Sequence, residues 1–223
     1  NLSYNRGDKK EAVDENFRRI SEAIGFDHTK LVFSNQIHET RIHKVTKEDC
    51  GKVMKDMDGL ATNEPGIPLY TGYADCVPLF FYDPVEKVAA LAHSGWRGTV
   101  GKIGKVTVEK MEEEFGCDPA DILGAVGPSI CQDCYEVSED VIKKFRENYD
   151  ENLWPEIFYQ KENGKYQLNL WKANESVFLE SGILPEHIAV TNVCTHCNPD
   201  ILFSHRTTGN ERGTLSAFLA LKK

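Results

Sequence analysis

The stretch "YADCVPLFFYDPVEKVAALAHSGWRG", residues 73–98, contains two largely apolar runs, 77–82 and 88–92, separated by Asp83-Pro84-Val85-Glu86-Lys87. Asp at the first turn position and Pro at the second suit a type I turn, because the pyrrolidine ring holds φ near the value needed there. A turn centred on Pro84 and Val85 makes a β-hairpin in which Cys76 and His93 face each other at the outer end. Directly opposed residues in an antiparallel pair have Cβ atoms roughly 4.5–5.5 Å apart, close enough for one metal ion to accept both side chains. A register slipped by two residues is the open alternative. A packing role also stands open, since Cys is among the most often buried residue types.

Two neighbours strengthen the metal reading. His93 opens "HSGWRG", whose glycines flank Trp96-Arg97 and allow close backbone approach to a ligand. His38 ends "NQIH", at the close of another short expected strand, and is available as a third ligand. A Cys-His-His set leaves zinc one open position for water, as in catalytic sites, whereas structural zinc is closed by four protein ligands. Water on zinc is a nucleophile near neutral pH. Asp75 precedes Cys76; it orients a ligand, moves protons, or only caps the strand. Arg97, Arg206 and Arg212 each stand beside Gly, Ser or Thr, a setting that suits anion binding in a loop, with solvated surface charge as the default. His205 lies next to Arg206. His28, His43 and His187 sit among charged or turn residues and read as surface histidines.

The remaining chemistry-bearing motif is cysteine-based. Cys194 and Cys197 form a CxxC, and Cys131 and Cys134 repeat that spacing. A zinc ribbon needs two such pairs, but "CQDCYEV" lacks the tight Gly turns of a zinc knuckle. A redox pair requires CxxC at a helix N-terminus after a strand. Small side chains near a packed pocket are the competing reading. Seven cysteines are an odd number, so a disulfide framework is not expected and a reducing cytoplasm is.

A chain of 223 residues suffices for one large or two small domains. Its 40% apolar and 27% charged residues are ordinary for a globular protein. No apolar run approaches the ~20 residues needed to span a bilayer, and no secretory signal is visible. The formal charge of −9 argues against a nucleic-acid partner, while leaving room for small anions in a local basic pocket.

Period-3.6 apolar spacing predicts a helix over 8–24, with Asp8 and Glu11 as a capping box and Gly25 closing it. Further helices are expected over about 99–115, after Ser138, and over about 170–181. Strands are expected at 31–33, 122–126 and 188–193, and the segment 215–221 closes the chain. Strands occur in hairpins as well as between helices, so the fold class is α+β with mixed sheets. "GTVGKIG" gives no GxGxxG after a strand, which removes a dinucleotide site.

Taken together, "NLSYNRGD", "NQIH", "ADCVP", "AHSGWRG", "GPSI…CYEV" and "CTHCNPDILFSHR" resemble the YfiH/YlmD-type proteins. That family is labelled polyphenol oxidase laccase domain and also purine nucleoside phosphorylase. The likeness runs from residue 1 to about 213 in the family's order. It implies a single domain over 1–223, with further sequence expected before Asn1, and a four-layered α/β/β/α sandwich of mixed β-sheets. It also implies zinc on His38, Cys76 and His93, with copper as a substitute because Cu²⁺ outranks Zn²⁺ in intrinsic affinity.

The implied partners are purine nucleosides and phosphate: phosphorolysis of adenosine, inosine, guanosine and methylthioadenosine, and deamination of adenosine. Catalytic candidates are Cys76, Asp75 and His205. Arg97 is the first choice for phosphate, with Arg206 and Arg212 beside it. Tyr73 replaces the usual Thr before "ADC", and Thr207 replaces a second Arg after "HR"; both bear on substrate preference. A copper-dependent phenol oxidase is the competing enzyme class. It would need many His, commonly as H-x-H, and the chain has seven His and no H-x-H. A non-catalytic metal-binding regulator is the third class.

Overall fold

The computed structural model describes residues 1–222. Thirteen strands and seven α-helices follow one another along the described chain. The strands are β1 (Val32–Ser34), β2 (Ile42–Lys44), β3 (Val53–Met54), β4 (Gly59–Thr62), β5 (Leu69–Tyr73), β6 (Val77–Asp83), β7 (Val88–Ser94), β8 (Leu123–Val126), β9 (Glu136–Val137), β10 (Phe158–Gln160), β11 (Tyr166–Leu168), β12 (Ile188–Val190) and β13 (Leu215–Leu219). The helices are α1 (Lys10–Ile24), α2 (Trp96–Val100), α3 (Ile103–Phe115), α4 (Glu139–Asn148), α5 (Trp154–Ile157), α6 (Leu170–Glu180) and α7 (His205–Thr208).

A six-stranded sheet has the order β12-β8-β6-β7-β4-β2, and a four-stranded sheet the order β13-β5-β1-β3. Both mix parallel and antiparallel pairs. Side-chain alternation explains how they stack. On β6, Val77, Leu79 and Phe81 face α3, α4 and α6, while Phe80 faces the other sheet. On β7, Val88, Ala90 and Ala92 face the helices and Leu91 packs with Val32, Leu69, Tyr73 and Ala217 of the four-stranded sheet. The opposite face of that sheet meets α1 through Val13, Phe17, Phe33 and Tyr70. The apolar clusters therefore run helix, sheet, sheet, helices, in agreement with the mixed-sheet α+β expectation. No helix is long and apolar enough to cross a membrane among the described residues.

The β6–β7 hairpin forms, but its register differs from the sequence expectation. Pro78, not Cys76, faces His93, and the ladder ends at Asp83↔Val88. The loop has four residues, because a two-residue type I turn would splay strands of right-handed twist. Asp83 Oδ1 accepts the N–H groups of Val85 and Glu86 at 2.8 and 3.0 Å, and Lys87 at φ 55° turns the chain back.

Other differences are local. The helix expected over 99–115 is broken at Lys102, which is left-handed at φ 55°, into α2 and α3. α1 begins at Lys10 without a side-chain cap, and Asp8 instead accepts from Asn1 Nδ2 at 3.0 Å. Gly25 does close it, at φ 79°. The small antiparallel sheet β10-β11-β9 was not foreseen; its strands have two or three residues each, too short for a period-2 pattern to register.

Candidate metal centre

Three successive connections cross from the four-stranded to the six-stranded sheet: β1 to β2, β3 to β4 and β5 to β6. His38 lies on the first, Asp58 at the end of the second and Cys76 on the third. His93 sits near the end of β7 and, by alternation with Leu91, projects between the sheets; its ring lies 5.4 Å from that of Tyr73 and 4.8 Å from that of His38. Ser94 points the other way, donating to Asn174 on α6 and bonding Thr99 on α2, which anchors the strand end from the helical side.

The candidate ligand atoms of His38, Cys76 and His93 all lie within 4.8 Å of one another. Extending the hairpin register by one pair places Gly95 opposite Cys76. A Cβ on Gly95 would stand 2.9 Å from His38 Nδ1 and 3.1 Å from Cys76 Sγ, so the absent side chain is space for the trio. The expected three residues converge, but through chain crossovers and not through a directly opposed Cys–His pair.

Asp58 organises this cluster and was not singled out from the sequence. It is fully buried. Its carboxylate accepts backbone N–H groups from Ile37, His38 and Glu39 at 3.1, 2.9 and 3.0 Å. Those three donors hold His38 in the left-handed region, at φ 63°. Asp58 Oδ1 also lies 3.0 Å from His93 Nδ1, so Nδ1–H is directed to the carboxylate and Nε2 is left as the ligand atom. "DMDGL" carries no motif; only the position before a crossover strand could have drawn attention to it.

The electrostatics follow from these contacts. Burial favours a neutral Asp58, yet the His93 hydrogen bond and the backbone N–H donors outweigh it and hold its pKa below the usual carboxylate value. Burial likewise opposes a Cys76 thiolate, but the His93 charge and bonds to His38 and His93 bring the thiol down to about 6. Burial opposes protonated His93, while Cys76 and Asp58 raise it to about 9. The site is thus prepared to hold positive charge opposite a thiolate. One sulfur and two imidazoles at this spacing fit zinc or copper, with a coordination position left over.

The trio opens into a cleft of about 400 Å³ that is also lined by Arg6, Asn35, Gln36, Tyr73 and Arg212. Gln36 fixes one wall by pairing with both backbone groups of Gly72. Arg6, Arg97, Arg206 and Arg212 make no carboxylate ion pair among the described residues, whereas Arg18, Arg19, Arg41 and Arg146 do. Burial and the charge of Arg6 both lower the pKa of Arg212, as expected of two cations facing one cleft. Arg6 was not singled out from the sequence.

The other expected residues lie around this centre. Arg97 is stacked over Trp96 with 4.3 Å between guanidinium and ring. Arg206 donates twice to Glu136 O and covers Tyr135; neither Arg97 nor Arg206 lines the cleft. Asp75 is buried at φ 81°, accepting Thr195 Oγ1 and Arg206 N at 2.7 Å each. Both its oxygens are engaged, which suits a positioning role beside Cys76. His205 is exposed, with Nδ1 3.1 Å from Gly209 O and 3.4 Å from Arg212 Nε.

Fold and site together define an α+β protein that carries a candidate metal site on its sheet crossovers, and comparisons with known proteins give its kinship. The chain belongs to the family described as "Multi-copper polyphenol oxidoreductase laccase", which matches residues 1–222. It is 36% identical over 224 residues to "Purine nucleoside phosphorylase YlmD" of Bacillus subtilis, covering 97% of this chain and 80% of the relative. It is 32% identical over 201 residues to "Adenosine deaminase RL5" of an unknown prokaryotic organism, covering 87% and 76%. The solved structure of YlmD from Geobacillus stearothermophilus superposes with a TM-score of 0.95 at 34% identity, over 100% of this chain and 85% of that one.

Proposed function

We propose that this chain is a zinc-dependent purine nucleoside enzyme, carrying out phosphorolysis of adenosine, inosine, guanosine and methylthioadenosine and deamination of adenosine. The carrying observation is the joint placement of the His38, Cys76 and His93 donors and two unneutralised arginines, Arg6 and Arg212, in one cleft. Relatives named for both reactions support it. His38, Cys76 and His93 would hold the zinc, which would supply Lewis acidity near neutral pH.

The chain's own residues supply the rest. Arg212 and Arg6 bind an anion, as phosphorolysis requires, because a half-buried guanidinium pair without carboxylate partners is complementary to phosphate oxygens. Arg97 and Arg206 add positive charge around Tyr135. Asp58 holds the His93 ring and the 37–39 backbone, so two of the three donors keep their orientation while substrate enters and leaves. Tyr73 lines the cleft, its buried hydroxyl bonded to Thr71 Oγ1 and Ala92 O.

The phenol-oxidase class requires a histidine-rich copper cluster. Among the described residues the groups of three or more ligating side chains are this trio and one set of four cysteines, which speaks for the nucleoside reading. Incubating zinc-loaded, copper-free protein with adenosine, with and without phosphate, tests it. Free base and ribose 1-phosphate with phosphate, and inosine without it, are expected. Turnover that requires copper and consumes oxygen would establish the oxidase instead, and no turnover with either metal the non-catalytic regulator.

A further inference from the structure

The two CxxC motifs, 63 residues apart in sequence, meet in space. All four sulfurs of Cys131, Cys134, Cys194 and Cys197 lie within 4.8 Å of one another, with Cys134 and Cys197 at 3.4 Å. Cys194 Sγ accepts two backbone N–H groups, from Cys131 at 3.3 Å and from Cys197 at 3.4 Å. The second closes the 194–197 turn onto its own first cysteine, doing without glycine what a tight knuckle does. A backbone bridge, Ser129 to Cys194, holds the two loops side by side, through Ser129 N–H to Val193 O and Thr195 N–H to Ser129 O at 3.1 Å each.

We propose that these four cysteines form a second metal centre, a closed tetrathiolate site for zinc that is separate from the His38/Cys76/His93 centre and structural in role. Tetrahedral zinc with Zn–S near 2.3 Å places its sulfurs about 3.8 Å apart, within the spread observed here. A disulfide would bring sulfurs together in pairs at about 2.05 Å and gives no reason for four to converge. All seven cysteines of the chain are free. With four protein ligands no position is left for substrate.

This centre would also steady the first one. Asp75, next to Cys76, is held from both cysteine loops: its carbonyl accepts Ile130 N–H at 3.1 Å, and its carboxylate accepts Thr195 Oγ1 at 2.7 Å. Ile130 precedes Cys131, and Thr195 follows Cys194. A metal that clamps the loops fixes the donors that position Asp75 and the backbone entering Cys76.

Metal analysis of the purified chain tests this independently of any activity. About two zinc ions per chain are expected in the native protein, and about one in Cys134→Ser, Cys197→Ser or His93→Ala. After cobalt substitution, His93→Ala should retain intense sulfur-to-cobalt charge-transfer bands of tetrahedral shape, and Cys197→Ser should lose most of them. Because His93→Ala leaves all four cysteines in place, its cobalt spectrum covers the case in which a serine variant does not fold. One zinc per chain, lost in His93→Ala and untouched in both serine variants, would overturn the proposal. So would a thiol count in denaturant, after chelation, that finds only Cys50, Cys76 and Cys117 reactive, since the tetrad would then be disulfide-bonded.

Discussion

Asp58 Oδ1 lies 3.0 Å from His93 Nδ1 and 2.9 Å from the backbone N of His38. One buried oxygen therefore orients two candidate ligands that arrive from different sheets. Partners of this kind typically govern metal affinity by 10–100-fold. Asp58→Asn keeps the size but turns an acceptor into a donor toward at least one N–H group. Zinc affinity, measured by chelator competition, should fall by about that range. The folded state should also weaken by roughly 1.5–3 kcal/mol for a lost charged hydrogen bond. An Asp58→Asn protein with native zinc affinity would deny the carboxylate this role.

Gly95 allows a cleaner separation of site from fold. Its φ of −74° is open to any residue, so alanine brings no backbone strain, only a Cβ beside His38 Nδ1 and Cys76 Sγ. Overpacking costs of about 1–3 kcal/mol correspond to roughly 5- to 150-fold in binding. Gly95→Ala should lose zinc affinity in that range while its metal-free thermal midpoint stays within a few degrees of the parent. A collapse of the metal-free fold would place the tight contact in the core instead.

Arg212 and Arg97 distinguish the two chemistries. Arg212 lines the cleft with the trio and Arg97 does not. Arg212→Ala should depress phosphorolysis by at least about tenfold, from roughly 1.5–3 kcal/mol of lost charged hydrogen bonding, and spare adenosine deamination, whose nucleophile is water. Arg97→Ala should have the smaller effect on phosphorolysis. Adenosine assays that resolve inosine from free base and ribose 1-phosphate read both reactions at once. The reverse order would move the phosphate site next to Trp96.

Metal and proton compete for His93. Metal binding needs neutral imidazole and thiolate. Cys76 is already a thiolate above about pH 6, whereas His93 keeps its proton up to about 9. Loading this site should release about one proton between about pH 7 and 9, with apparent affinity rising about tenfold per pH unit and levelling off above. Calorimetry in buffers of different ionisation enthalpy measures it; zero protons released at neutral pH would show His93 neutral in the free protein.

What could be read from the sequence is what local chemistry encodes. The two apolar runs at 77–82 and 88–92, with the Asp83-Pro84 turn between them, set the central hairpin, Gly25 the end of α1, and "NQIH", "ADC" and "AHSG" the candidate ligand types, since each depends on neighbours within a few positions. The hairpin register did not follow, because a type I turn and a four-residue loop share the same Asp-Pro start and are separated only by strand twist. Asp58, Arg6 and the meeting of the two CxxC pairs were decided by tertiary structure alone. Asp58 acquires its meaning from three backbone N–H groups about twenty residues away, Arg6 from a cleft shared with Arg212, and Cys131 and Cys134 from a loop 63 residues further on. No short sequence window contains such partners, because packing two mixed sheets by repeated crossovers is what brings them together.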